Sequence, residues 1–272
     1  MPIVKIEAGI KKLVKLVSRN GGHDAARAIM TTDTFPKEVV ARLKAGRRVI
    51  HVAGIVKGAG MIHPNMATML CFITTDAAVP RATLQRALRK AVNQSFNRIS
   101  VDGDMSTNDT VICLANGLAG PASVPAFQAA LNFVCAELAG MIVRDGEGVS
   151  RQVTVNVRGA ASDRDAEFAA RAVANSFLVK ASWCGGDPNW GRIMDALGYS
   201  RANVVEKKVD IAYDSLPAVR GGVATRTPAA KLRRIAKLPA FTIDIHLHLG
   251  RGRCAMRTTD ITEKTVELNK GE

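Results

Sequence analysis

The chain has 272 residues, a formal net charge of +14 and 47% hydrophobic residues, enough for one large domain or two small ones with a substantial core. Aromatic residues make up only 4%, so small aliphatic side chains must do the packing, and a basic surface this poor in aromatics lacks the stacking platform that single-stranded nucleic acid needs. No run of about 18 uninterrupted apolar residues occurs, and the opening Met-Pro-Ile-Val-Lys has no signal-peptide form; the expectation is a soluble, cytoplasmic protein without membrane or nucleic-acid partners.

Residues 4–17 mix apolar residues and lysines at the spacing of an amphipathic helix, weakened by Gly9, and a second short helix is predicted over Asp24–Ile29. Met30–Lys37 reads as a β-branched strand end entering a turn at Pro36, and Arg48–Ile55 as a strand. Gly58 and Gly60 then punctuate a turn that presents Lys57. This is not a phosphate loop, because the lysine precedes the glycines and no Lys-Ser/Thr pair follows. Thr68 stands where the turn gives way to a buried strand, Met69–Thr75. Taken alone it is either an ordinary β-branched strand residue or a nucleophile at the mouth of that strand.

Arg81–Phe96 is helical by spacing, with Leu84, Leu88, Ala91 and Val92 on one face. Asp102, Asp104 and Ser106 imitate the opening of a calcium loop. Thr107 occupies the position needing glycine and Cys113 the one needing glutamate, so a polar turn feeding a strand over Val111–Leu114 is expected instead. Ala126–Val143 is a long helix with Phe127, Leu131, Val134, Leu138 and Met141 inward. It ends in Arg144-Asp-Gly-Glu-Gly148, where flanking glycines leave Glu147 on irregular, accessible backbone as a turn residue or a site residue.

Gln152–Val157 alternates as a strand, and Asp163–Phe177 is helical with Ser162 as its N-cap. Trp183–Ile193 is a loop shaped by Pro188 and glycines, with Asp187 and Arg192 as a structural pair and a short helix opening at Ile193. Val204–Tyr213 reads as a strand and 214–240 as a basic connection of weak pattern. Phe241–Leu249 alternates strictly, with Phe241, Ile243, Ile245, Leu247 and Leu249 on the buried face. His246 and His248 share the other face, read as solvated, since no further metal ligand is suggested nearby. Thr262–Asn269 reads as a final strand. The five cysteines (Cys71, Cys113, Cys135, Cys184, Cys254) are scattered and odd in number, which argues for reduced, mainly buried thiols rather than disulfides or a zinc site. Helices and strands alternate throughout, so a layered α/β core is inferred.

The charge is uneven: residues 1–67 carry a net +8 and 199–272 a net +6, while 68–198 are neutral. A basic surface of this kind can attract polyanions or anionic metabolites.

The stretch Lys57-Gly-Ala-Gly-Met-Ile-His-Pro-Asn-Met-Ala-Thr-Met-Leu-Cys71 resembles the cleavage-site segment of the ornithine acetyltransferase family, the glutamate N-acetyltransferases of arginine biosynthesis. The likeness runs from about residue 4 to Asn269 and is most specific at Ala28–Lys37, Gly54–Asp76, Phe96–Thr110, Asp145–Gly148, Asp187–Ile193 and Leu268–Asn269. It implies an α/β arrangement of layered sheets and helices that the β-aminopeptidases share. It implies self-cleavage between Ala67 and Thr68, with Thr68 as nucleophile and Thr31, Lys57, Thr68, Glu147 and Asn269 at substrate-binding positions. Residues 1–67 would be the remainder of a first (alpha) subunit and 68–272 a second (beta) subunit, the cut chains assembling as a heterotetramer. The implied reaction moves acetyl from N2-acetyl-L-ornithine to L-glutamate through an acetyl-threonine, with no metal or bound cofactor and with acetyl-CoA as an alternative donor in some members.

The resemblance also sets two departures. Family precursors carry a longer segment ahead of this chain's first residues, including a Thr-Gly pair that forms the oxyanion hole, and residues 1–30 offer no equivalent. Losing one such donor typically costs about 10²–10³ in rate. The family also uses a C-terminal hydroxyl residue beside its Asn, and the sequence given ends at Glu272, short of it. The expectations are therefore an N-terminally shortened acetyltransferase, competent when the absent part is supplied, or a catalytically incomplete binding or scaffold homologue. An N-terminal-nucleophile hydrolase of the β-aminopeptidase type is the enzymatic rival, although those proteins use Ser where this chain has Thr68.

Overall fold

The computed structural model describes residues 2–62 and 69–270. Two helices, α1 (Ile3–Leu16) and α2 (Gly22–Ala28), lead into a hairpin of β1 (Lys37–Ala45) and β2 (Arg48–Lys57). Gly46, with φ +65°, makes the two-residue turn between them, a backbone angle that only glycine adopts without strain. β3 (Leu70–Ala78) pairs antiparallel with β2, and β4 (Thr110–Pro121) pairs parallel with β3 after a crossover through α3 (Arg81–Gln94). The result is a four-stranded sheet in the order β1-β2-β3-β4.

α4 (Val124–Arg144) lies across one face of this sheet. Ser123 caps it by accepting from the Ala126 N–H, and eight of its side chains are buried, including Phe127, Leu131, Val134, Leu138 and Ile142. Each such large apolar side chain contributes about 1.5–3 kcal/mol by leaving water. Gly54 on β2 permits the close approach, since a Cβ there would stand 2.8 Å from Leu138. By length and composition α4 could also cross a membrane, but its apolar stripe is packed against β1 and β2.

The second layer is a six-stranded sheet, built from β5 (Gln152–Ala160), β6 (Asp210–Tyr213), β7 (Leu216–Arg220), β8 (Val223–Ala224), β9 (Ala240–His246) and β10 (Gly252–Thr259) in the order β10-β5-β9-β6-β7-β8. β5 and β9 are its parallel pair. α5 (Asp163–Asn175), α6 (Phe177–Cys184), α7 (Trp190–Gly198) and α8 (Ala229–Ala236) bury its apolar face, where Trp183 and Tyr213 pack on Phe241 at 6.1 and 6.2 Å between ring centroids. α9 (Glu263–Leu268) closes the described chain. All five cysteines are free thiols.

Several sequence-based expectations need correction. Thr262–Asn269 is not a strand: Thr262 and Thr265 form a reciprocal capping box that starts α9. β1 begins at Lys37, where the sequence suggested the end of a turn, and no strand precedes it among the described residues. The connection 214–240 contains β7, β8 and α8. The strand expected over Val204–Tyr213 is confined to Asp210–Tyr213, because residues 206–208 form a 3₁₀ turn. The helix after Ser162 stops at Asn175, since Ser176 leaves helical geometry to cap α6, which contains Trp183. Asp187 and Arg192 have other partners: Arg192 donates to the Leu178 carbonyl at 2.8 Å and Asp187 accepts from Asn189. Met141 and Leu249 are only half-buried. The His246 and His248 rings lie 3.8 Å apart, and His248 meets Asp210 at 2.9 Å. Among the described residues no cluster of three or more His, Cys, Asp or Glu side chains could hold a metal.

Candidate active site

Lys57 ends β2 with a buried side chain, and the chain then turns through Gly58-Ala59-Gly60. Hydrogen bonds tie the turn and the residues after it to three other loops. The Gly58 N–H donates to Asp33 at 2.7 Å, and the Ala59 carbonyl accepts from the Glu147 N–H at 3.1 Å. Met61 and Ile62 both donate to Asp102, and the Ile62 carbonyl accepts from Val101. Gly60 lies close under Glu147: a Cβ there would stand 2.5 Å from the carboxylate, so that side chain would have to swing away. The glutamate therefore lies directly over the turn that follows Lys57.

Behind the turn sits a buried ionic triad. The Lys37 ammonium donates to Asp33 and to Asp145 at 2.5 Å each, with the three side chains almost wholly removed from water. Burial alone would raise the Asp33 carboxyl. The Lys37 hydrogen bond and the Gly58 and Thr31 N–H groups outweigh that and hold it below its ordinary value. Asp145 also accepts the backbone N–H of Thr34 at 2.9 Å and its hydroxyl. One lysine thus fastens three segments: the Thr31–Thr34 loop, the Gly58 turn, and the loop carrying Glu147.

The exit side mirrors the entry side. Met69 donates its N–H to Asp109 at 2.6 Å, and its carbonyl accepts from Thr110. The other Asp109 oxygen is buried and has no hydrogen-bond partner among the described residues. Burial pushes this carboxyl up to about 6, against the opposing pull of the Met69 N–H and the Lys57 charge. Residues 63–68 are therefore flanked by two carboxylates of one loop, Asp102 before them and Asp109 after them.

Of the residues named from the sequence, Glu147 reaches the Gly58–Gly60 turn that follows Lys57, and Asn269 reaches Glu147 through a 3.4 Å contact from its side-chain nitrogen to the carboxylate. α9 is fastened to the same loop, since Thr265 donates to the Glu147 carbonyl and Thr262 to that of Gly148. Thr31 is exposed on the neighbouring loop, with its N–H on Asp33. Ala67 and Thr68 lie outside the described residues. Sequence reasoning missed Asp33, Lys37, Asp145 and Asp109. Their only signal was position: each falls inside a stretch singled out on other grounds, and nothing local says that Lys37 is buried or that Asp145 faces it.

A sequence profile of the ArgJ family matches residues 1–271. The chain belongs to the ArgJ family. It is 46% identical over 276 residues to the arginine biosynthesis bifunctional protein ArgJ of Symbiobacterium thermophilum, covering 99% of this chain and 69% of that one. It is 43% identical over 278 residues to the glutamate N-acetyltransferase of Methanocaldococcus jannaschii, covering 97% and 69%. The crystal structure of the arginine biosynthesis bifunctional protein ArgJ from Bacillus halodurans superposes with a TM-score of 0.71 at 37% identity, over 74% of this chain and 98% of that one. The layered α/β architecture is thus that of a solved ArgJ structure.

Proposed function

We propose that this ArgJ-family chain is a glutamate N-acetyltransferase that carries acetyl from N2-acetyl-L-ornithine to L-glutamate on Thr68. The observation that carries this reading is the convergence of Lys57, Glu147 and Asn269, from three distant parts of the chain, on the turn that leads into residues 63–68. Lys57 at the end of β2 and Glu147 over the turn that follows it offer a cation and an anion to an amino-acid substrate, Lys57 for its carboxylate and Glu147 for its ammonium. The relatives named for glutamate N-acetyltransfer and arginine biosynthesis support the same substrate class.

The chemistry follows from the residue type. A threonine hydroxyl is a weak nucleophile until a base takes its proton. Cleavage between Ala67 and Thr68 frees an α-amine, of reference pKa about 7.7–8.0, that can act as that base. The hydroxyl attacks the acetyl carbonyl, ornithine leaves with the proton, and acetyl-Thr68 results. The amine of glutamate then attacks this ester and restores the hydroxyl. On this reading residues 1–67 and 68–272 are the alpha and beta parts of one enzyme, which assembles from its cut halves as a heterotetramer in the cytoplasm. Acetyl-CoA is a second acetyl donor to test.

Intact-mass measurement and an acetyl-transfer assay test the proposal together. Alone or with a supplied N-terminal segment, the chain should yield two fragments meeting at Ala67/Thr68 and gain acetyl on the fragment that begins with Thr68. Thr68→Ala should stay whole and lose transfer by at least about 10³-fold, the scale of removing a covalent nucleophile. Undiminished transfer by Thr68→Ala would refute the assignment.

A further inference from the structure

We infer that the cleft at the edge of the six-stranded sheet, between β10, β5 and the 3₁₀ turn Phe96–Arg98, is a binding site for a multiply charged phosphate group. It lies outside the acetyl-transfer machinery: Lys57, Glu147 and Asn269 take no part in its lining, and it stands whatever the role of Thr68.

The site begins with a fault in a strand ladder. β10 is the edge strand, and its register with β5 slips between Gly252 and Cys254, so that Arg158 and Gly159 together oppose Arg253. Gly159, with φ +69°, takes up the left-handed backbone at this bulge. Bulges re-aim side chains, and this one sets two arginines against each other across the strands, where like charges are ordinarily unfavourable. Arg98 arrives from the turn before β4 and donates Nη1 to the Cys254 sulfur at 2.6 Å.

The cleft has a volume of about 440 Å³. Among the described residues its polar lining is Arg98, Arg158 and Arg253 with the carboxamides of Gln94 and Asn156, and it includes no carboxylate. The nearby acids are already engaged. Asp244 accepts from Arg158 at 3.0 Å and from Asn156 at 3.1 Å, and Glu167 pairs with Arg98 at 3.2 Å and with Arg171 at 2.6 Å. Arg98 then keeps Nη2 unspent, and Arg158 its Nε and Nη1. The Arg253 guanidinium has no ion pair or hydrogen bond among the described residues. A second cavity, of about 270 Å³, shares Gln94 and Arg98 with the first and adds Arg257. Neither lining contains a lysine among the described residues. Every cation is thus a guanidinium, a flat fork that meets two oxygens at once. One fork is enough for a carboxylate; three around a single cleft match the larger number of oxygens that phosphate offers.

Two sources carry that chemistry, a free polyphosphate and a nucleotide. Isothermal titration calorimetry of the full chain with sodium pyrophosphate and with ADP separates them, at about 50 mM salt so that screening is weak. Pyrophosphate should bind saturably with a Kd below about 1 mM. Arg158→Ala combined with Arg253→Ala, both exposed, should weaken binding at least about tenfold. Arg253→Ala alone breaks no side-chain contact and should show part of that loss. Arg233→Ala combined with Arg234→Ala, two exposed cations of α8, removes the same charge elsewhere and should leave Kd within about twofold. Tighter binding of ADP than of pyrophosphate identifies a nucleotide as the ligand, and ADP no tighter identifies the phosphates alone. Absence of saturable binding by both probes overturns the inference. So does unchanged affinity in Arg253→Ala, or an equal loss in the α8 pair, which would reduce the attraction to net charge.

Discussion

Two lysines, Lys37 and Lys180, lie almost wholly out of water, and their surroundings could hardly differ more. Lys37 meets two carboxylates, Asp33 and Asp145, at 2.5 Å each. Lys180 meets only neutral oxygens: the carbonyls of Val101 and Thr259 at 2.8 and 2.6 Å, and the hydroxyls of Thr258 and Thr259 at 2.9 and 3.2 Å. Taking a charge out of water costs several kcal/mol, and only close opposite charge and complete hydrogen bonding offset it. At Lys180, burial outweighs the more distant Asp102 and Asp260 and lowers the ammonium to about 7. Both lysines tie loops of the site to the scaffold, Lys37 through Asp33 and Asp145, Lys180 through Val101 beside Asp102. The first does so by charge and the second by directed neutral contacts, so their removal should fail differently.

The largest effect is expected at the first. Lys37→Met would strand two buried carboxylates, and breaking a buried ion pair from one side costs about 3–5 kcal/mol. For a chain of this size that is a melting-temperature loss of roughly 10 °C. Because Thr31, Gly58 and Glu147 all hang on the triad, KM for N-acetylornithine should rise with it. A thermal melt beside steady-state kinetics checks both; an unaltered melt would mean that the triad does not organise these loops.

The contrast also marks what could be read from the sequence. The elements with long, one-period patterns were legible: α3, α4, β2 and β5 lie where spacing places them, and the alternation read over Phe241–Leu249 holds through Leu247 before the backbone turns at His248. Short or capped elements were not. The strand reading of Thr262–Asn269 rested on eight residues only, and the two threonine hydroxyls that start a helix there outweigh so short a pattern. The site divides in the same way. Lys57 and Glu147 stand beside glycines that drew attention to them, and Asn269 was singled out only through the family resemblance. Lys37 and Lys180 could not be named in advance, because a lysine reads as surface until its partners, 108 residues away for Asp145 and 79 for Val101, are brought up by the fold.

Lys180→Met should destabilise less than Lys37→Met. Val101 keeps a hydrogen bond from the Thr259 hydroxyl, and Thr258 keeps its own to Ala174, so chiefly the Thr259 carbonyl is orphaned. An unmet buried acceptor costs about 1–3 kcal/mol, partly offset because the buried charge is removed with the side chain.

The smallest effect is the most diagnostic. The folded Lys180 gives up its proton near pH 7, whereas in the unfolded chain it holds it to about 10.5. Between those values the unfolded state binds more protons, so the contribution of this lysine to stability rises with pH. The melting temperature of wild type minus that of Lys180→Met should therefore climb by a few degrees, on the order of 1–2 kcal/mol, from pH 7 to pH 9. Taking the difference cancels every other titration the two proteins share. A flat difference would mean that the four oxygens around Lys180 hold its proton as firmly as water does, and the distinction between charged and neutral partners drawn here would fail.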